Sequence, residues 1–172
     1  MEDIANPGPL TANQQSLLKG LDLVRDLVHI RDARNGNAAA DEVTQLLAAW
    51  SEKRQEWWTE MTAAQQNGDW MPLLGLSERL ELTNADIDIM LIVLAPLIDP
   101  EITGNLVKSG PLLGRCLDTA GVLSLLFHSS SERFSAHELL ARKGRLFSHG
   151  LIHLQPVDNG QGSKNFEIKA TD

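Results

Sequence analysis

From Val43 to Ala64 the chain carries a pattern that few folds accept. Val43, Leu47, Trp50, Arg54, Trp57, Met61 and Ala64 follow one another in alternating steps of four and three. On an α-helix such steps place all seven on one stripe, and their mean period of about 3.5 residues is that of a seam between helices. A strand cannot use the pattern, because its neighbouring residues point to opposite faces. One charge, Arg54, sits in the seam. It must snorkel to the edge or meet an acid such as Asp22 or Asp26. Upstream, Leu17, Leu21, Val24 and Val28 repeat the same steps, and Leu18 and Leu27 widen that stripe. Gly36 is placed to end the first helix in the left-handed conformation. The second begins after Asn37, with Asp41 and Glu42 in its first turn, where the helix dipole favours acids. Asn67-Gly68 closes it. A linker this short makes the two helices antiparallel. Residues 10–68 therefore read as a helical hairpin behind a flexible lead-in, residues 1–9, that holds Pro7, Gly8 and Pro9.

The texture changes at Trp70. Met71 to Leu82 reads as a short helix with Leu73, Leu76 and Leu80 on one face. Thr83-Asn84-Ala85-Asp86 is a capping box, in which a hydroxyl and an acid three residues later satisfy free backbone N–H groups. Ile87, Met90, Leu91 and Leu94 follow as the buried face of the next helix. Pro96 lacks the N–H that would bond Ile92, so the pattern predicts a kink or stop there. Asp99-Pro100 restarts a helix, with Asp99 as cap and Pro100 in the first position. Lys108 to Gly114, with two glycines and Pro111, reads as a loop, and Leu117 to Phe127 as a buried helix. Ser135-Ala136-His137-Glu138 is a second box, predicting a helix to about Phe147 that Gly150 ends. Leu151 to Leu154 and Phe166 to Lys169 read as strands joined by a loop over Pro156 to Asn165. The fold class is thus mainly α: the hairpin, then a winged-helix-like domain over residues 70–172 with a short C-terminal β-hairpin.

Composition narrows the chemistry. The 172 residues carry a net charge of -8, and both parts share it: 6 Lys+Arg against 11 Asp+Glu in residues 1–69, and 9 against 12 in residues 70–172. Phosphate binding draws on clustered lysine and arginine that displace counterions, so a nucleic-acid partner is disfavoured. The single cysteine, Cys116, excludes an intramolecular disulfide and reads as buried and structural. No apolar run approaches the length of a membrane span, and the acidic start Met1-Glu2-Asp3-Ile4 is unlike a signal peptide, which together predict a cytoplasmic protein. Gly160-Gln161-Gly162-Ser163-Lys164 lacks the gap of a phosphate loop and falls in the expected hairpin tip. His149 and His153, if in a strand, stand about 13 Å apart at about 3.3 Å per residue, too far to share a metal. Asp86 and Asp88, two apart on a helix, point to different faces and form no acid–base pair. No Gly-x-Ser-x-Gly elbow occurs. The chain therefore predicts no catalytic residue, no metal and no cofactor of its own.

Two groups of residues remain as candidates. Trp57 and Trp58 are adjacent and cannot both lie in one seam. With Trp57 and Met61 facing the hairpin partner, Trp58 lies about 100° around the helix. Trp57, Trp58 and Met61 are thus the candidate protein interface, for another protein or a second copy of the chain, since amphipathic aromatics anchor such contacts. Arg142, Lys143 and Arg145 occupy the final turns of the expected last helix. That is the place of a recognition helix just before a wing, so they are candidate phosphate-backbone contacts. The alternative is cations favoured by a helix C-terminus.

The stretch Leu76-Ser77-Glu78-Arg79-Leu80-Glu81-Leu82-Thr83, with Asp86 to Glu101 after it, resembles the N-terminal winged-helix region of a group of bacterial AAA+ ATPases. Some of these belong with phage-tail-like contractile injection systems. Residues 95–100, Ala-Pro-Leu-Ile-Asp-Pro, carry the closest match, and the resemblance covers about residues 71–155. It departs from the family over Ile102 to Leu117, which lacks aromatics, and at Asp118-Thr119, where a Pro-Thr is usual. The resemblance implies a non-catalytic N-terminal domain that recognises a substrate or partner protein for an ATPase ring. It also implies that the chain is a fragment, and that ATP and Mg²⁺ belong to a module of the full-length protein outside it. The alternative reading is a DNA-binding winged-helix module using Arg142, Lys143 and Arg145.

Overall fold

The computed structural model describes residues 9–102, 119–141, 144–158 and 164–170. Helix α1 spans Ala12–Asn35 and α2 spans Ala40–Gln66. They lie against each other as the predicted hairpin. Thr11 caps α1 through a box with Gln14. The turn between the helices differs from expectation. Gly36 has a φ of -82°, and Asn37 takes the left-handed conformation at a φ of 67°. Asparagine tolerates that region because its short side chain can bond locally. Asn67 caps the far end of α2, followed by Gly68 at a φ of 95°.

The seam of α2 is as the period predicts. Arg54, Trp57 and Met61 are buried, and Val43, Leu47, Trp50 and Ala64 are half-buried along the same stripe. The stripe of α1 is rotated from expectation. Its buried arc includes Gly20, Leu23, Leu27 and Ile30 beside Leu21, Val24 and Val28, whereas Leu18 is 45% exposed. The reason is a second neighbour: α1 packs on α2 along one side and on the later helices along another. Gly20 permits the approach. A Cβ there would stand 3.0 Å from Leu91 Cδ2 and 3.2 Å from Trp57 Cζ2.

Helix α3 spans Pro72–Leu80 and ends at Glu81 in the left-handed conformation. Its buried centre is Leu74 and Ser77; the expected face of Leu73, Leu76 and Leu80 is only half-buried. Helix α4, Asn84–Ile98, opens on the predicted box of Thr83 and Asp86. It does not stop at Pro96 but runs through it to Ile98, and the Asp99 N–H bonds Ala95 O at 2.9 Å. Proline's fixed φ is itself helical, and only the bond from residue 96 is forfeited so near the end. Ile87, Ile89, Ile92 and Ala95 of α4 are completely buried, which makes it the central helix. Asp99 then caps a further turn at residues 100–102: its Oδ1 accepts from Glu101 N at 2.8 Å and Ile102 N at 3.4 Å. The expected loop over Lys108 to Gly114, and Cys116, lie outside the described residues.

Helix α5, Thr119–Leu126, buries Val122, Leu123 and Leu125. The next boundaries correct the expectation. The working box is Ser129 with Glu132, six residues before the one expected at Ser135 and Glu138. It opens α6, Ser130–Ala136, which tightens into a 3-10 turn over His137–Leu140. No helix runs on to Phe147. After Gly144 a separate one-turn helix, α7, covers Arg145–Ser148, and Gly150 follows at a φ of 68°. Strands β1, Ile152–Asp158, and β2, Lys164–Ala170, pair antiparallel from Ile152 opposite Ala170 to Asp158 opposite Lys164. Both run into the span expected as loop. β2 lies against α4 and α5. One core cluster takes residues from the hairpin, α3, α4, α5 and the segment around Leu140, Leu146 and Ile152.

Candidate recognition site

The first turn of α4 gathers charge at the junction of hairpin and C-terminal segment. Arg54, from the middle of α2, meets neither Asp22 nor Asp26. Its Nε bonds Asp88 Oδ1 at 2.7 Å, and its Nη2 donates to the Asn84 carbonyl at 3.0 Å. Both side chains are nearly enclosed. Burial pushes the Asp88 carboxyl above the usual carboxylate range, and the guanidinium beside it pulls the other way. Asp26 is instead taken by Lys53 at 2.7 Å, and Asp22 by Arg25, which also reaches Asp99.

Two residues earlier, Asp86 is buried, 1% exposed. Its Oδ2 accepts from Thr83 N at 2.8 Å and Thr83 Oγ1 at 2.6 Å. Arg145 Nη1 stands 3.9 Å from the same oxygen, with its side chain about half exposed. Asp86 Oδ1 has no hydrogen-bond partner. The Arg145 guanidinium thus lies within ion-pair distance of the cap of α4 while its side chain stays half exposed. Local geometry explains how the chain brings it there. Gly144 passes so close to the 3-10 turn that a Cβ would fall 2.2 Å from the Leu139 carbonyl oxygen. Leu146, the next residue after Arg145, is completely buried and pins α7 to the core. Arg145 is therefore the first residue of a one-turn helix, not part of a last turn. Arg142 and Lys143 lie outside the described residues.

The tryptophan group divides. Trp57 and Met61 are each only 3% exposed and are part of the core. The Trp57 Nε1–H donates to Ser16 O at 2.8 Å and Ser16 Oγ at 3.1 Å. Trp58 is half-buried and meets Trp57 edge to face, centroids 6.1 Å apart at 68°. It alone of the three keeps an exposed edge. The open face of the hairpin is a groove of about 250 Å³ whose lining includes Leu23 and Trp57 among the charged residues Lys19, Asp22, Asp26, Lys53, Glu56 and Glu60. Both lysines there are paired, Lys19 with Glu60 and Lys53 with Asp26.

A family model, "Winged helix domain, variant", matches residues 9–167. The chain belongs to that family. The match takes in the hairpin as well as the helices and strands after it, so this winged-helix variant includes α1 and α2 in its domain. No curated protein and no solved structure gives a significant match. Among the described residues no group of three or more His, Cys, Asp or Glu is placed to hold a metal ion, and no helix is long and apolar enough to cross a membrane.

Sequence reasoning missed two pairings in this winged helix. Asp88 is the partner of Arg54; the available signal was an acid in the second turn of an otherwise apolar helix, where only a charge from elsewhere makes it tolerable. Arg34 Nη1 lies 2.9 Å from His128 Nδ1 across 94 residues of sequence, a contact no local pattern announces.

Proposed function

We propose that this winged helix recognises protein and not DNA, as the non-catalytic N-terminal domain of an AAA+ ATPase. Its task would be to hold a substrate or partner protein for the ATPase ring. The observation that carries the protein reading is what stands in the recognition helix's place. Directly before β1 there is one turn of helix, too short to lie along a groove, and its described cation, Arg145, stands 3.9 Å from buried Asp86. The net charge of -8 supports it, because the long-range field repels a polyanion. Support for the ATPase context is the resemblance of residues 76–101, above all Ala95-Pro96-Leu97-Ile98-Asp99-Pro100. The activity would then belong to a separate module that binds ATP and Mg²⁺.

The test is made on the full-length protein. Its reading frame should carry Gly-x-x-x-x-Gly-Lys-Ser/Thr after this domain. Deleting residues 1–172 should leave basal ATP hydrolysis intact and abolish capture of the protein substrate. A frame without that motif, or a deletion that leaves substrate capture unchanged, overturns the reading. For the isolated chain, calorimetric titration with Mg-ATP should be flat.

A further inference from the structure

We infer that Arg34 and His128 form an acid-sensitive clasp between the helical hairpin and the α5–α6 joint, closed while the imidazole is neutral and opened when it gains a proton. Arg34 lies in the last turn of α1. Its Nη1 stands 2.9 Å from His128 Nδ1, and its Nη2 donates to the Ser124 carbonyl of α5 at 3.0 Å. A guanidinium has donors only. Nδ1 must therefore accept, so the closed clasp requires a neutral ring with its proton on Nε2. A second proton would remove the accepting lone pair and set two cations within hydrogen-bond distance. The clasp would then lose its bond and gain a repulsion at once.

The surroundings bias the ring toward the neutral form. Arg34 faces it from α1 and Arg133 faces it from α6, while Arg31 and Arg133 both repel Arg34 itself. Glu132 is the opposing anion, and it is already engaged: its Oε2 accepts from the His128 N–H at 3.1 Å and the Ser129 N–H at 2.8 Å as the α6 cap. From α5 the nearest group is the Ser124 carbonyl, held by Arg34. Burial and the Arg34 charge press His128 below its ordinary value of 6.5, with Glu132 pulling back and Arg133 adding to the fall. A histidine depressed in the folded state binds fewer protons there than in the unfolded chain. The stability it secures is complete above about pH 6.5 and is lost as pH falls from there through the folded value.

His128 links α5 to the cap of α6, so the clasp joins the hairpin to α5 and α6. Opening it would loosen the end of α1 from that joint without touching the Arg54–Asp88 pair. The inference does not depend on what the winged helix recognises.

Imidazole NMR of the folded chain between pH 8 and pH 5 tests it, on the wild type, Arg34→Gln and His128→Asn. The wild type should show the Nε2–H tautomer and a His128 midpoint below 6.5. Arg34→Gln should move that midpoint upward by about one unit. Amide exchange around residues 124–129, corrected for its intrinsic pH dependence, should rise in acid in the wild type. It should stay flat in His128→Asn, whose side-chain carbonyl can accept from Arg34 and does not titrate. An Nδ1–H tautomer, or a midpoint at or above 6.5 that Arg34→Gln leaves unmoved, would overturn the clasp. So would an acid response in His128→Asn equal to that of the wild type, a result that stands even if Arg34→Gln does not fold.

Discussion

The hairpin and the segment from Ser129 to Ala170 are built on different principles. In the hairpin two long helices share one seam, and each seam position repeats the instruction of the last. Its polar tips are answered by the partner helix: Trp57 bonds the carbonyl of Ser16, and Trp50 that of Leu23 at 3.0 Å. In the later segment no element before the strands exceeds seven residues. Each is fixed by a single device: the Ser129 box, the close pass of Gly144, the burial of Leu146, the positive φ of Gly150. A long periodic element therefore tolerates one wrong residue, such as Arg54, whereas a short one changes if its one device is read wrongly.

Several substitutions probe that difference. Trp57→Ala removes a buried indole from the centre of the seam and should cost about 3–5 kcal/mol in a denaturant melt. Trp58→Ala, one step around the same helix and half-buried, should cost less than half as much. Equal losses would mean that the hairpin has no preferred seam. Arg54→Ala strands the Asp88 carboxylate in the core and should cost about 3 kcal/mol. Replacing both residues by apolar ones of similar size should recover much of the loss. If the double variant is no better than the single one, the pair is not an isolated unit of the junction. Gly144→Ala tests the later segment. The methyl cannot fit beside the Leu139 carbonyl without moving the backbone, which should cost about 1–3 kcal/mol. A neutral result would show that the segment adjusts freely and that Gly144 is not its fixing device.

The same contrast explains what was legible in the sequence. The stripe from Val43 to Ala64 came through because seven positions agreed on one period. The Thr83–Asp86 cap was legible because an apolar helix follows it. The partner of Arg54 was not, because spacing within α2 says nothing about which acid of another element comes near; Asp22 and Asp26 were nearer in sequence, and Asp88 was nearer in space. At α6 two Ser-x-x-Glu boxes stand six residues apart, and a box alone cannot say which one nucleates. Once Ser129 caps the helix, Ser135 falls in its interior and is no longer free to act as a cap. The sequence pattern places Arg145 in the last turns of one long helix, whereas the structure has it at the start of a separate one-turn helix after Gly144. Its neighbour Asp86 is a carboxylate 59 positions away in sequence. Of the tryptophan group, the period separates Trp58 from Trp57 and Met61, but it does not say that those two are almost wholly buried.

The proposal of protein rather than DNA as the ligand of this winged helix requires that the chain bind duplex DNA poorly. Fluorescence anisotropy with a labelled duplex of about 30 base pairs at physiological salt tests it directly. Non-specific DNA binders commonly hold duplex with dissociation constants of about 10⁻⁴–10⁻⁶ M under those conditions. This chain should show no saturable binding tighter than about 10⁻⁴ M, and the Arg142→Glu, Arg145→Glu double variant should behave the same. Micromolar binding that weakens steeply with salt and disappears in the double variant would contradict the claim and make the domain a DNA-binding winged helix.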